Sequence, residues 1–282
     1  MEYLEFDQED ILSFLPDRNP CAHKGNFGKI LLLCGSTGCT GAPALAAMGA
    51  LRSGAGLVYL GVPKSIYNIE AVKLTEPLVF PVPDEKGMFS NWASNEICKH
   101  LNGMNAALVG PGLGMSEGTF NTKNLVLHQF RGPVVLDADG LNQLSLHRDM
   151  LRGRMFPTVL TPHEGEFIRL GGQLQMGRVE AAAQMARDIQ ALVVLKGHNT
   201  VITDGYSVYV NQTGNPGMAV GGSGDMLAGM LTSFLGQGLS PFRAAVAAVW
   251  LHGAAGDLCA KEIGQYGMLP SDMLNVLPRL MK

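Results

Sequence analysis

Short, continuous apolar runs alternate along this chain with longer stretches that carry apolar residues at helical spacing. The first run, 29–34, is bounded by glycine, which is typical of a strand buried on both faces of a parallel sheet. A stretch of small residues, 42–53, follows it and predicts a helix. The alternation predicts further strands at 57–61, 78–82, 106–110, 133–137, 158–161 and 192–196, and helices at 7–14, 63–74, 91–101, 115–130, 164–170 and 179–190, with three more starting at Gly224, Pro241 and Ser271.

This alternation predicts an α/β fold with a doubly wound, mostly parallel central sheet and helices on both faces. One segment departs from it: 201–210 predicts a β-hairpin that turns at Asp204-Gly205, the dipeptide favoured in type I′ turns. We find no linker, repeat or low-complexity tract, so residues 1–282 are expected to form one domain.

Glycine-rich or polar turns follow several of the predicted strands. In sheets of this kind ligands bind beyond the carboxyl ends of the strands, where these turns would meet. A site that long suits a nucleotide together with a second substrate. The turns are 35–41, 110–114, 137–142, 161–166 and 196–200.

The most informative turn contains Gly221, Gly222 and Gly224 and leads directly into an apolar helix. The first turn of a helix has N–H groups without internal partners and carries the positive end of the helix dipole, so such an entry is suited to binding phosphate. Asp225 would then lie beside the anion as a candidate base for a hydroxyl. The alternative is a tight turn in which Asp225 only caps the helix.

Thr161–Glu166 places a histidine and two acids at a strand end. His163 is expected to contact a ligand. Glu164 or Glu166 could hold Mg²⁺ through water, or could simply be acids favoured in a first helical turn.

Three further polar residues have two readings each. Lys196 could contact phosphate or be a solvated strand end, and Asp137 and Asp139 could serve a metal or cap a helix. His252 lies on an apolar helix and is interpreted as a satisfied core histidine.

Two common nucleotide motifs are absent from the sequence. A GxGxxG fingerprint fails at Met115, and no window fits GxxxxGK[ST]. With a net charge of −3, the chain shows no overall attraction for nucleic acid or acidic membranes. The N-terminus is acidic, and no apolar run reaches the length of about 18 residues that a membrane helix needs. The five cysteines contain no CxxC pair. We therefore expect a soluble cytoplasmic protein with reduced core cysteines.

Several motifs together resemble one family, the ADP/ATP-dependent NAD(P)H-hydrate dehydratases, which are carbohydrate-kinase-like repair enzymes of the ribokinase superfamily. The resemblance covers nearly the whole chain and implies a three-layer ribokinase-like fold. The motifs that carry it are HKGxxG at 23–28, GAPxL at 41–45, RSGAG at 52–56, GPGLG at 110–114, LDADG at 136–140, LTPHxGEF at 160–167, LKGxxT at 195–200 and 215–225 with its GGSGD.

The resemblance implies an enzyme that uses ADP or ATP, with Mg²⁺, to restore the S epimer of hydrated NADH or NADPH (NADHX, NADPHX). Asp225 would be the base, and Gly222, Ser223 and Gly224 would cradle the transferring phosphoryl group. The resemblance also implies a homotetramer, and a separate epimerase would act on the same metabolite. The implied nucleotide contacts are Lys196, Gly197, His198, Asn199, Thr200 and Gly224, and the implied contacts of the hydrated nicotinamide are Ala42, Gly112, His163 and Asp225.

Two positions depart from the family pattern. Glu166 matches the metal-associated glutamate of the superfamily's NxxE motif, but His163 stands at the asparagine position. Ser223 replaces the usual threonine and keeps the hydroxyl. Two other functions remain open: a kinase of the same fold that phosphorylates a hydroxymethyl pyrimidine, a thiazole or a sugar, and a nucleotide-binding protein without catalysis.

Overall fold

The computed structural model describes residues 1–145 and 147–282. The strands are β1 (Glu2–Tyr3), β2 (Lys29–Leu33), β3 (Leu57–Pro63), β4 (Leu78–Val82), β5 (Asp84–Glu85), β6 (Met88–Phe89), β7 (Ala106–Val109), β8 (Val134–Leu136), β9 (Thr158–Leu160), β10 (Leu192–Leu195), β11 (Val201–Thr203) and β12 (Ser207–Val210). The α-helices are α1 (Gln8–Ser13), α2 (Gly41–Arg52), α3 (Lys64–Lys73), α4 (Ala93–Leu101), α5 (Glu117–Gln129), α6 (Asp139–Leu144), α7 (Glu164–Arg169), α8 (Arg178–Ile189), α9 (Ser223–Gly236), α10 (Pro241–Ile263) and α11 (Pro270–Leu280).

Ten strands form one sheet in the order β1-β12-β11-β10-β9-β8-β7-β2-β3-β4. Every neighbouring pair from β10 to β4 is parallel, and β11 runs antiparallel to both β10 and β12. The remaining two strands, β5 and β6, form a small separate hairpin. The predicted α/β fold with a mostly parallel sheet is therefore confirmed.

Apolar cores cover both faces of the sheet, because successive side chains of a strand point to opposite sides. On β2, Ile30 and Leu32 pack into the core that contains helices α1, α2, α3, α9, α10 and α11. Leu31 and Leu33 pack into the core on the other side, with helices α4 to α8. This three-layer arrangement explains why the strand sequences are continuously apolar.

The helices α2 and α9 pack so closely that only small residues fit between them. A Cβ added at Gly229 would lie 2.0 Å from the backbone oxygen of Ala46, and one at Gly49 would lie 2.5 Å from that of Met226. The run of alanines and glycines in α2 is thus a consequence of helix-to-helix contact. It brings the start of α9 down onto the start of α2.

The hairpin at 201–210 is confirmed, but the predicted type I′ turn is wrong. Thr203 pairs with Val208, so four residues rather than two lie between the last paired positions. A type I′ turn requires positive φ at both central residues. Gly205 has a φ of 97°, but the φ of Asp204 is not positive. Instead the Asp204 carboxylate accepts hydrogen bonds from the backbone N–H groups of Tyr206 and Ser207.

Other details differ from the sequence prediction. All five cysteines are free, but only Cys34 and Cys259 lie in the core, while Cys21 and Cys39 are exposed and Cys98 is half-buried. The short strands β1, β5 and β6 were not predicted, because two-residue strands are too short to show a period. Across the described residues, we find no helix with the length and apolar character needed to cross a membrane.

Candidate active site

The five polar turns predicted to meet at one sheet edge follow β2, β7, β8, β9 and β10. These five strands are contiguous in the sheet and mutually parallel, so the turns after them form one continuous rim. At Gly110 and Gly140 the turns approach each other so closely that an added Cβ would lie 1.8 Å from Asp137 O and 2.4 Å from Val109 O. The prediction of a shared edge is confirmed.

The glycine-rich turn enters α9 as predicted. Gly222 is the N-cap residue and has a φ of 96°, a conformation that favours glycine, and a Cβ there would lie 2.3 Å from Leu45 Cδ1 on α2. Ser223 is the first helical residue, and Asp225 is the third. Because Gly222 occupies the cap, the alternative in which Asp225 caps this helix is wrong. Its half-buried carboxylate is left beside the first helical turn.

Lys196 reaches from the end of β10 to the base of this turn. Its Nζ donates a hydrogen bond of 2.7 Å to Asp137 Oδ1 and lies 3.9 Å from Glu166 Oε2. A Cβ added at Gly224 would be 3.3 Å from the same Nζ. The lysine is therefore not a solvated strand end. It lies between the ends of β8 and β9 and the start of α9.

Asp137 is the buried partner in this group, with a side chain that is 3% exposed. Its Oδ1 also accepts a hydrogen bond of 2.7 Å from the Thr161 hydroxyl. Neither Asp137 nor Asp139 is the N-cap of α6, which begins after Ala138. Asp139 Oδ2 instead accepts from the backbone N–H of Gly114 at 2.8 Å, which ties the 110–114 turn to α6.

The electrostatic setting changes the acidity of Asp225. Burial raises its pKa to about 6, with Asp137, Asp139 and Glu166 adding to the effect and Lys196 opposing it. For Lys196, burial would lower the pKa, but Asp137, Glu166 and Asp225 outweigh it and raise the pKa above its ordinary value. At neutral pH the site thus holds an ammonium among carboxylates, one of which takes up a proton readily.

His163 and Glu166 form a capping box at the start of α7. Glu166 Oε2 accepts from the His163 backbone N–H at 2.8 Å, and His163 Nδ1 accepts from the Glu166 N–H at 3.2 Å. Glu166 is buried, whereas the His163 side chain is 55% exposed, as expected for a residue outside the core. Glu164 pairs with Arg178.

The donor set around Lys196 suits Mg²⁺ only in part. Within residues 1–145 and 147–282, we find no cluster of three or more His, Cys, Asp or Glu side chains arranged to hold a metal. Mg²⁺ is commonly held by one or two carboxylates together with water and substrate phosphates, and it does not need a full protein cage. A buried, hard oxygen donor such as Glu166 fits that mode of binding.

Ala42 and Gly112, named for the hydrated nicotinamide, lie against each other. A Cβ at Gly112 would be 3.1 Å from both the Ala42 and the Cys39 Cβ atoms, and Gly112 has a φ of 63°. Ala42 stands one helical turn before Leu45, the residue that contacts Gly222. The first turn of α2 therefore lies between the 110–114 turn and the glycine-rich turn.

Residues 197–200 form a tight turn after β10. The Thr200 hydroxyl donates to the Gly197 carbonyl at 2.9 Å, and Asn199 has a positive φ of 54°. His198 and Asn199 are exposed at the rim. The backbone here is supported from below by Arg178, whose Nη2 donates to the Leu195 carbonyl at 3.1 Å.

Two contacts at the candidate site were not anticipated from the sequence. Asp137 was considered only as a metal ligand or a cap, and its pairing with Lys196 joins residues 59 positions apart. His252 is a core histidine as interpreted, 7% exposed, but its Nε2 lies 3.3 Å from Ser223 Oγ in the glycine-rich turn. No local pattern signals either pair, because their members belong to different elements.

Comparison with known proteins identifies a family. A family model described as NAD(P)H-hydrate dehydratase matches residues 30–279. The ADP-dependent (S)-NAD(P)H-hydrate dehydratase of Bacillus subtilis is 35% identical over 282 residues, covering 98% of this chain and 96% of that protein. The bifunctional NAD(P)H-hydrate repair enzyme Nnr of Moorella thermoacetica is 43% identical over 96% of this chain. This chain spans about half (52%) of that bifunctional relative.

Two solved structures have the same fold. The ADP/ATP-dependent NAD(P)H-hydrate dehydratase of Bacillus subtilis, co-crystallised with ATP and Mg²⁺, superposes with a TM-score of 0.84 at 33% identity, covering 97% of this chain and 96% of that one. A ribokinase-like superfamily protein of Enterococcus faecalis superposes with a TM-score of 0.86 at 26% identity, covering 99% and 95%. By sequence and by fold, this chain belongs to the NAD(P)H-hydrate dehydratase family.

Proposed function

We propose that this protein is an ADP-dependent (S)-NAD(P)H-hydrate dehydratase that restores hydrated NADH or NADPH to the reduced dinucleotide. The observation that carries the proposal is the position of Asp225. Its carboxylate, with a pKa raised to about 6, lies in the first turn of α9 directly after the anion-binding glycine turn. A base next to an anion cradle is what transfer of a phosphoryl group to a hydroxyl requires.

The first step is phosphoryl transfer. Asp225 accepts the proton of the substrate hydroxyl while that oxygen bonds to the β-phosphorus of ADP, and the bond from phosphorus to the AMP oxygen breaks. Gly222, Ser223 and Gly224 present the N–H end of α9 to the phosphoryl oxygens. The Lys196 ammonium, next to Gly224, adds positive charge on the same side. With ATP the leaving group would be ADP.

The second step is elimination. The ring nitrogen donates its lone pair, the carbon–oxygen bond breaks, and phosphate leaves. A proton lost from the neighbouring ring carbon then restores the double bond. The net products are the reduced dinucleotide, AMP and phosphate. Hydroxide is a poor leaving group at neutral pH and phosphate is a good one, so the nucleotide is consumed to make this departure possible.

The two ligands are assigned to two parts of the rim. Lys196, beside Gly224 at the start of α9, and the turn that follows it (Gly197, His198, Asn199 and Thr200) would hold the nucleotide. Ala42 and Gly112, from the turns after β2 and β7, would line the hydrated nicotinamide together with His163, which follows β9 and is bridged to Lys196. Asp225 would lie between the two ligands. Bound Mg²⁺ would neutralise charge on the nucleotide phosphates, and Glu166 is the carboxylate we assign to it, through water.

A kinase of the same fold is the alternative enzyme. Many such kinases carry alanine where this chain has Ser223, which favours the dehydratase.

The experiment is to follow absorbance at 340 nm after adding the protein to hydrated NADH with ADP and Mg²⁺. A rise that needs ADP is expected. A flat trace, with ATP consumed once a hydroxymethyl pyrimidine or a thiazole alcohol is supplied, would establish the kinase instead. Nucleotide binding without consumption would indicate a non-catalytic protein.

Asp225→Asn tests the assignment of the base in the same assay. This variant should bind ADP and lose turnover, because its amide cannot accept the hydroxyl proton. Asp17→Asn, a change at an exposed aspartate far from the rim in sequence, is the matched control and should retain full turnover. Retained activity in Asp225→Asn would overturn the role of Asp225.

Further expectations remain predictions. We expect residues 1–282 to act as one domain and the protein to be cytoplasmic. We also expect it to form a homotetramer, which light scattering would test. The bifunctional relatives carry the name of a repair enzyme with two activities on hydrated NAD(P)H. We therefore expect an epimerase acting on the same metabolite to supply the S form to this protein.

A further inference from the structure

A buried histidine supports the glycine-rich turn. His252 lies in the middle of α10 and is 7% exposed, and Ser223 at the start of α9 is 9% exposed. The ring Nε2 and the Ser223 Oγ are 3.3 Å apart. Ser223 is the side chain within the turn that carries a hydroxyl, so this contact acts directly on the anion cradle.

Helix α10 also holds the segment that leads into the glycine-rich turn. The Thr213 hydroxyl donates to the Trp250 carbonyl at 2.9 Å, and Asp257 accepts from the Gly214 N–H at 2.8 Å. A Cβ at Gly253, next to His252, would lie 2.2 Å from Thr213 Oγ1. The segment from Thr213 to Ser223 is therefore anchored along two turns of α10, with His252 as its contact to the serine.

The histidine ring is neutral at physiological pH and so carries one N–H. Burial lowers its pKa to about 4 and the Lys196 charge adds to this effect, while a hydrogen bond with the Ser223 backbone favours a proton on the ring. If that N–H faces Ser223, the serine oxygen accepts a hydrogen bond from the ring. The serine's own proton is then left to donate elsewhere. If the ring accepted instead, the oxygen lone pairs of Ser223 would face the anion.

We propose that His252 is a positioning residue for phosphoryl transfer: it donates to Ser223 Oγ and so directs the serine hydroxyl proton towards the phosphoryl group. The inference rests on the proposed function of the glycine-rich turn. A hydrogen bond to an ionised oxygen is stronger than a neutral one, so the direction of this single proton affects the transition state.

A double-mutant cycle tests the pair. Ser223→Ala removes the hydroxyl, and His252→Met fills the space of the ring without an N–H. Each change should lower kcat about tenfold with little change in KM for ADP. The double variant should be no slower than Ser223→Ala alone, because His252 acts only through the serine. His252→Gln, whose amide N–H can stand in for Nε2–H, should recover most of the loss, but only when Ser223 is present.

Val246→Ala on the same helix is the control for packing damage. It should lower the melting temperature and leave kcat unchanged, both alone and in combination with Ser223→Ala. If the kcat losses of Ser223→Ala and His252→Met multiply in the double variant, the proposal is overturned. It is also overturned if His252→Gln fails to recover activity. If the wild-type protein shows no ADP-dependent turnover, the proposed function fails and this inference fails with it. Multiplicative losses of kcat measured against an active wild type overturn the inference alone.

Discussion

The Asp225 carboxylate is placed where its charge opposes folding, so Asp225→Asn should make the protein inactive and at the same time more stable. Burial and the neighbouring acids raise its pKa above the ordinary value, which means that the folded chain holds this proton more tightly than the unfolded chain does. The stability of the wild type therefore falls, relative to the asparagine variant, as the pH rises through this range.

The magnitude follows from the two pKa values. Between the ordinary value of 3.8 and the folded value of about 6, each pH unit lowers the relative stability of the wild type by about 1.36 kcal/mol. The upper limit is about 3 kcal/mol above pH 6, and partial solvent exposure reduces the expected gain to about 1–3 kcal/mol at pH 8. At pH 5 the gain should be about half of that at pH 8, because only part of the range has been crossed.

The assay is urea unfolding of both proteins at pH 5 and pH 8, followed by circular dichroism or tryptophan fluorescence. Asp17→Asn, at an exposed position, is the control and should change the free energy of unfolding by less than about 0.5 kcal/mol at either pH. A gain that is equal at the two pH values would show that ionisation of Asp225 is not its cause. An Asp225→Asn protein less stable than the wild type at pH 8 would refute the reasoning.

Two further predictions concern activity. Below about pH 6, kcat/KM should fall as Asp225 becomes protonated. Lys196→Met should move this acidic limb of the pH–rate profile to higher pH, because Lys196 lowers the pKa of Asp225. The same variant should also lose about 3–5 kcal/mol of stability, because it leaves the Asp137 carboxylate without its cation. An unmoved limb in a pH–rate profile would contradict the first effect. Gly112→Ala should raise KM for hydrated NADH, since its Cβ would lie 3.1 Å from Ala42. Gly103→Ala is the control: Gly103 also has a positive φ but has open space around it, so this variant should lose stability and keep its KM.

Local features of the sequence were enough to predict the α/β order and the edge where the site lies. The period of apolar residues is a property of neighbouring positions, and parallel strands must end at the same edge, so the turns after them meet. The glycines before α9 and the position of Asp225 in its first turn follow from the same local logic. The capping alternative stayed open because the helix start is uncertain by a residue or more from sequence alone.

The partners of the reactive groups were decided only by the tertiary structure. Lys196 meets Asp137 across 59 positions, and Ser223 meets His252 across 29, because strand order and helix packing bring separate elements together. The raised pKa of Asp225 has the same origin, since it depends on burial and on carboxylates from other turns. A sequence period specifies which face a residue occupies. The distance to a side chain on another element is set by the packing of the whole fold.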